Sequence, residues 1–343
     1  MWKVTRVWLA DHARLITYTV GPVLVTVWTV LRHWTNGVNF DVVGQVGVAD
    51  QWAHGLHDGA QLGATNYLLK MPMYTVVNHL GGLSPHLKLL VLALLFNITT
   101  FVLLVFLFEK LLRLYGVRPG APFYLAMLWL ASISGRVWWL DYANSRNLET
   151  AGGVLVLYLA CRFLKLPGWR PAAWLITVGG VVFFADQLQI YSIAAGLVLY
   201  AALCVLRRRN REQLTVSTAL VGSLAGAIIF DKILHSLATS LLPISFLTAP
   251  TIAPTGSLLH TLAGTLKGIA VSTARIFDAS FYASGSAPNL ARELLNMATL
   301  LAVVGVVVYY WRRSRSRSLA AICLCCIITT YGAYAAATRR CSR

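Results

Sequence analysis

Apolar positions along this 343-residue chain neither alternate nor fall into half-polar stripes; they gather into long runs separated by short basic or polar segments. Nine runs stand out, at residues 15–33, 86–108, 121–140, 150–164, 171–185, 190–206, 215–242, 294–311 and 319–337. Most approach the roughly 20 apolar residues that a helix needs to cross a bilayer. A helix that is hydrophobic all round suits lipid or a deep core, not a surface. The pattern predicts an all-α polytopic membrane protein of about nine transmembrane helices, in a single domain covering 1–343. Two stretches, 34–83 and 243–291, are too polar to be spans. They are expected to be long loops with short amphipathic helices. Asp186, Gln187 and Gln189 break the apolar hairpin between the fifth and sixth runs.

Composition agrees with the pattern. Charged residues make up 12% of the chain and apolar residues 57%, whereas soluble domains carry about 25% charged residues. The net charge of +17 raises the question of nucleic acid. No basic stripe or aromatic stacking platform accompanies it, so no nucleic-acid partner is expected. The basic residues instead cluster between runs: Lys3, Arg6 and Arg14; Lys110, Arg113 and Arg118; Arg162, Lys165 and Arg170; then 207–211 and 312–317. With the N-terminus inside, all five clusters lie inside, and they hold more than half of the 29 basic residues. The positive-inside rule then predicts N-in and C-out. No small-residue cleavage site precedes the first loop, so the first run is expected to remain a span. Cys161, Cys204, Cys323, Cys325 and Cys326 lie in or beside apolar runs. They read as small apolar fillers, with no disulfide and no zinc site expected.

This orientation carries most of the acids to the outer face. Asp41, Asp50 and Asp58 fall in the first loop, Asp141 and Glu149 in a polar turn, Asp186 in the hairpin break and Asp278 in the second loop. Asp231 lies in the outer half of the seventh run. Asp231 and His235 are four apart and share a helix face. Ionisable groups inside a span are costly and mark function by default. An internal brace for the bundle is an equal reading of Asp231, and the better one for Lys232. The turn WWLDYANSRNLE, which holds Asp141, Asn144, Arg146 and Glu149, is dense in polar groups just before a span. Helix capping accounts for its Asn and Ser residues, but not for an arginine flanked by two acids. Arg146 suits multi-donor contact with phosphate, with Asp141 or Glu149 positioning it or holding a metal. Lys70 is a further phosphate candidate, since it sits in an aromatic–proline stretch. Arg275 lies in ARIFDASFYASGSAPN of the second loop, after a stretch at 258–276 whose apolar spacing suits a helix in the interface plane. Asp50, Asp58, His54 and His57 read as solvated loop residues.

The first loop reads Asp41, then Ala49-Asp50-Gln51-Trp52-Ala53-His54-Gly55, then Asn66-Tyr67-Leu68-Leu69-Lys70-Met71-Pro72-Met73-Tyr74. An early aspartate, a short segment ending in glycine and an aromatic–Lys/Pro entry to the next helix resemble the first outer loop of GT-C superfamily membrane glycosyltransferases. Aminoarabinose transferases and protein O-mannosyltransferases are members. Val42 stands where the family often has Glu. The family commonly has more spans and a C-terminal outer domain, so the resemblance implies a minimal or truncated member without that soluble domain. It also implies a polyprenyl-phosphate sugar donor, a glycan, lipid or protein acceptor, and a bacterial plasma membrane with the active face outside.

The chemistry fits the residues. Transfer to a hydroxyl needs a base within hydrogen-bond reach of the nucleophile, and Asp41 is the candidate; its plainer role would be a helix N-cap. The departing phosphate needs positive charge on its oxygens, for which Arg146, Lys70 and Arg275 are candidates. Asp141, Glu149, Asp186, Asn144, Asp231 and His235 are the supporting polar set. No cofactor is required, although neighbouring carboxylates are able to hold magnesium or manganese. A transporter or lipid flippase is the competing expectation. It would place ionisable groups and broken helices at the bilayer midplane.

Overall fold

The structure is a computed structural model and describes residues 2–35, 60–62, 70–132, 147–208, 211–242, 244–246 and 317–338, with 305, 308 and 312 as isolated positions. Its elements are α1 (Trp2–Thr35), β1 (Ala60–Leu62), α2 (Met71–Asn78), α3 (Pro85–Leu114), α4 (Ala121–Ser132), α5 (Asn147–Lys165), α6 (Trp169–Ala185), α7 (Ala195–Arg208), α8 (Arg211–Leu241), β2 (Ile244–Phe246) and α9 (Arg317–Thr338). Among the described residues four helical segments are long and apolar enough to cross a membrane: His12–Leu31, Pro85–Leu114, Ile190–Arg207 and Arg211–Leu241. Shorter apolar helices cover Ala121–Ala131, Trp169–Ala185 and Arg317–Thr330. The helical membrane architecture expected from the apolar runs is therefore present. The expected runs at 121–140 and 294–311 lie partly outside the described residues.

Helix ends differ from the apolar runs in a consistent way. The runs at 15–33 and 86–108 sit inside α1 (Trp2–Thr35) and α3 (Pro85–Leu114). Lys3, Arg6, Glu109, Lys110 and Arg113 thus extend helices rather than begin loops. Hydropathy marks where lipid would end, but Lys, Arg and Glu are good helix formers and the backbone continues through them.

Packing along α1 shows which solvent the helices are built for. Ala13, Thr17, Gly21, Val25 and Thr29 recur every four residues and are buried. The opposite face carries Leu15, Ile16, Val20, Val23, Val27 and Leu31, all exposed, with Leu15 63% exposed. The small and polar side is inside and the large apolar side is outside, the reverse of a helix on a water-soluble domain. Membrane helices associate through close packing and small residues, because lipid is as apolar as the partner helix. The hydroxyls of Thr17 and Thr29 donate to the carbonyls of Ala13 and Val25. Asn97 Nδ2 donates to Thr29 Oγ1 at 3.0 Å, joining α1 to α3.

The chain forms two compact units, Met1–Gln189 with Ser223–Thr248, and Ile190–Gly222 with Ala249–Arg343. In the first, contacts fix the helix directions. Thr29 meets Asn97 while Arg14 meets Glu109, so α1 and α3 are antiparallel. Thr17 Oγ1 donates to the carbonyl of Tyr124, at the start of α4. Gly152 faces Val182, so α5 and α6 are antiparallel. Ile176 meets Gly226, Gly180 meets Phe230 and Phe184 meets His235, so α6 and the second half of α8 run the same way. A core of Val25, Phe101, Leu104, Val105, Met127, Ala131 and Ala151 joins α1, α3, α4 and α5. Two three-residue strands add a feature the apolar pattern does not predict. β1 and β2 pair in parallel, Ala60 opposite Ile244 and Leu62 opposite Phe246, joining the first and second long loops.

In the second unit a π-helical turn at Ile190–Ala194 leads into α7. Widened turns leave carbonyls in need of donors, and Thr329 Oγ1 of α9 donates to the carbonyl of Ser192 at 3.0 Å. Gly196 lies against the backbone of Cys326, so α7 and α9 meet at a glycine.

Gly180 measures how tightly α6 and α8 meet. A Cβ there would stand 2.9 Å from Phe230 Cβ and 3.0 Å from the Ala227 carbonyl oxygen. Gly180→Ala is expected to destabilise the protein by about 1–3 kcal/mol through overpacking. Gly222→Ala, where a Cβ meets nothing within 4 Å, should leave stability unchanged or raise it, since alanine favours helix over glycine. Thermal unfolding of both variants in detergent checks this; equal midpoints would contradict the packing described.

Candidate functional site

Lys70 immediately precedes α2, and Pro72 occupies the first turn, where its missing N–H costs nothing. The Lys70 carbonyl accepts from the N–H groups of Met73 and Tyr74 at 3.0 and 3.1 Å, closing that turn. α2 lies against the first half of α3. Tyr74 meets Phe96 edge-on with centroids 5.8 Å apart, and Lys88 Nζ donates to the Asn78 carbonyl. This antiparallel packing carries Lys70 inward, to the level of Phe96, where it is 3% exposed.

The ammonium group of Lys70 donates to Glu149 Oε2 at 2.7 Å and stands 5.4 Å from the centre of the Phe96 ring. Glu149 lies in the first turn of α5 and is also buried. Its carboxylate suits that position, since negative charge is favourable at a helix N-terminus. Burial pushes the Glu149 carboxyl up from the usual carboxylate range; Lys70 draws it back, and Asp186 is near enough to add to the rise. The three side chains therefore form one electrostatic group, although α2, α5 and the end of α6 are far apart in the chain.

Asp186 ends α6. Its backbone turns extended, at φ −147° and ψ 100°. Its Oδ1 accepts from the Leu188 N–H at 3.1 Å and its Oδ2 from Gln189 Nε2 at 3.2 Å. The carboxylate thus takes the place of the next helical turn, as aspartate does in tight turns. The expected break at Asp186, Gln187 and Gln189 is where the structure puts it.

Gln187 leads on to the third part. Its Nε2 lies 3.2 Å from His235 Nε2. His235 Nδ1 lies 3.0 Å from the Asp231 carbonyl oxygen, one helical turn back. A carbonyl only accepts, so this arrangement fits a proton on Nδ1 and an Nε2 that accepts from the Gln187 amide. Phe184 packs edge-on to the ring at 4.8 Å. The Asp231 carboxylate is fully buried. Its oxygens lie 2.8 Å from His235 Nδ1 and 3.3 Å from Lys232 Nζ, yet neither accepts a directed hydrogen bond. The short distances reflect charge and proximity; the ring N–H is aimed at the backbone carbonyl instead.

Of the residues singled out from the sequence, Lys70, Glu149, Asp186, Asp231 and His235 are described and lie together at one end of the first unit. Asp41, Asp141, Asn144, Arg146 and Arg275 lie outside the described residues. Glu149 is engaged by Lys70, whereas the sequence pointed to Arg146 or a metal. Among the described residues no three His, Cys, Asp or Glu side chains come together as a metal site. The contacts of Gln187 with His235 and of Phe96 with Lys70 were not foreseen. Gln187 is a polar side chain in an apolar hairpin, which is a usable signal; Phe96 is one aromatic among many in α3 and carries none. Comparison of the chain with protein-family models, with curated proteins and with solved structures gives no match.

The Lys70–Glu149 pair has a measurable signature. Removing one partner of a buried ion pair leaves an uncompensated charge and costs about 3–5 kcal/mol, whereas replacing both with apolar groups is often neutral. Glu149→Ala is expected to destabilise the protein by roughly that amount. Lys70→Met combined with Glu149→Leu should recover most of it. A double-mutant cycle on thermal stability reads the coupling; additive losses would mean the pair is not a unit.

Proposed function

We propose that the protein is an integral membrane glycosyltransferase of the GT-C type, moving a sugar from a polyprenyl-phosphate donor to an acceptor hydroxyl or amide outside the membrane. The observation that carries this reading is the gathering of Lys70, Glu149, Asp186, Asp231 and His235 at one end of a helical unit whose other end carries Arg14, Arg113 and Arg118. With arginines inside, the gathered group lies on the outer face, in a chain of nine spans running N-in to C-out. The pairing of β1 with β2 supports it, because it puts the two long loops on the same side.

In this reading Asp41 is the general base. It takes the proton of the acceptor hydroxyl as that oxygen attacks the anomeric carbon. The carbon–oxygen bond to phosphate breaks, and the electron pair leaves on the polyprenyl phosphate. One displacement inverts the anomeric carbon, by the single-step logic of inverting glycosidases. Lys70, Arg146 and Arg275 neutralise the departing phosphate. Glu149 fixes Lys70 at a low-dielectric position where its charge counts for more. Asp141, Asn144, Asp186, Asp231 and His235 orient these groups; a bound magnesium or manganese ion would offset more of the negative charge on the phosphate.

The buried Asp231 of α8 favours a second reading, a transporter or lipid flippase, since a carboxylate within a span-length helix commonly lies on a transport path. Membranes containing the full chain, supplied with a labelled polyprenyl-phosphate sugar, separate the two. Transfer appears as label on a new acceptor, and transport as an intact labelled donor in the opposite leaflet. Asp41→Asn is expected to lower transfer by about 10²–10⁴-fold, the usual contribution of a general base. Wild-type turnover in that variant would remove Asp41 from the mechanism.

A further inference from the structure

At the end of the first unit opposite Lys70, a single carboxylate organises a basic cavity. Glu109 of α3 is 2% exposed. Its Oε1 accepts from Arg14 Nε at 3.1 Å and from the Tyr124 hydroxyl at 2.9 Å, and its Oε2 from Arg113 Nη2 at 3.4 Å. Three helices, α1, α3 and α4, are tied together by these bonds. The manner of binding matters. Arg14 uses its Nε, and its two terminal nitrogens make no other hydrogen bond among the described residues. Arg113 uses one terminal nitrogen. Arg118 has no acidic partner among the described residues. All three arginines, with Tyr124, Gly116, Val117 and Pro119, line a cavity of about 490 Å³.

We propose that this cavity is a binding site for a phosphate group. Three guanidinium groups line the cavity and only two of them pair with its one carboxylate, so the site keeps a net positive charge after its internal pairs are counted. Arginine offers several N–H donors in a fixed plane that matches phosphate oxygens. The half-exposed Arg14 and Arg113 are held in place from behind by buried Glu109, so less side-chain freedom is lost on binding. Arginines serving only as a topology signal would need neither the buried carboxylate nor convergence on one open cavity; they would act equally well splayed into water. The volume accommodates a phosphate and part of the molecule that carries it. Two carriers share this chemistry, the headgroup of an anionic phospholipid in the adjoining leaflet and a free phosphate compound in the water phase. The site stands apart from the transfer chemistry: its arginines mark the inner end of the unit in the glycosyltransferase reading, but none of its residues acts on donor or acceptor there.

The full chain in phosphatidylcholine nanodiscs provides the test. Its unfolding midpoint is followed as inorganic pyrophosphate is added, and separately as phosphatidylglycerol replaces part of the phosphatidylcholine. Stabilisation of the wild type in the first arm identifies a soluble ligand, and stabilisation in the second alone identifies a headgroup. In the responding arm Arg118→Ala is expected to weaken apparent affinity about tenfold, the loss of one charge-assisted contact, and Arg118→Lys to restore part of it. Arg170→Ala removes an equal charge at the same end but outside the cavity, and should respond as wild type. No wild-type response in either arm, or equal losses in Arg118→Ala and Arg170→Ala, overturns the proposal. Arg118 is exposed, so the midpoint of Arg118→Ala in phosphatidylcholine alone should match wild type; if it does not, Arg118→Gln replaces it in both arms.

Discussion

Charge is expensive in hydrocarbon, and the first unit is arranged around that cost. The buried charged side chains described in it lie in two layers, and Lys70, Glu149, Glu109 and Asp231 each have an oppositely charged neighbour. Lys70 and Glu149 mark one layer, level with Phe96; Arg14 and Glu109 mark the other. Along α3 the two layers are about 20 Å apart, at about 1.5 Å per residue. Between them, among the described residues, the buried polar contacts are light ones, such as Asn97 to Thr29. The apolar stretch is shorter than an average hydrocarbon core of about 30 Å, a mismatch that bilayers accommodate at modest cost by thinning or by snorkelling of the flanking side chains.

The two layers differ in chemistry. One is built on buried carboxylates, of which Glu149 holds a lysine and Asp231 lies beside a histidine; the other is built on arginines that hold a carboxylate. Buried pairs of this kind add little stability for their cost, which makes their placement informative about use. In each layer the fixed partner is the buried one. Glu149 fixes Lys70 from within α5, and Glu109 fixes Arg14 and Arg113 from within α3. The charges are thereby held in position before any ligand arrives, which is the condition for electrostatic stabilisation of a departing or bound phosphate.

Much of the architecture could be read from the chain before any contact was known. Runs such as 86–108 announce a membrane helix through their length alone, and Asp186 with Gln187 and Gln189 announces a break because nothing else polar lies nearby. Asp231 and His235 stand out for the same reason, as ionisable groups in an apolar run, whereas Lys70 is marked by its aromatic–proline stretch and Glu149 by the polar turn that ends at it. Pairing was less legible. Glu149 meets Lys70 across many residues because α2 turns back along α3, and no local pattern encodes that. Glu109 sits among Lys110, Arg113 and Arg118 with nothing local to mark it out, although a lone acid four residues before Arg113 is a usable hint. Its burial comes from α1 and α4 packing over it. Three-residue strands such as Ala60–Leu62 have too few positions to show a period.

The short parallel pairing of Ala60–Leu62 with Ile244–Phe246 bears on the order of assembly. Contacts between residues so distant in the chain form late, because a large loop must close first. β2 follows α8, so the ladder must wait until α8 has been synthesised, long after β1. The segment before α2 therefore meets its strand partner only when most of the first unit stands. The nascent protein would lack this clasp until then.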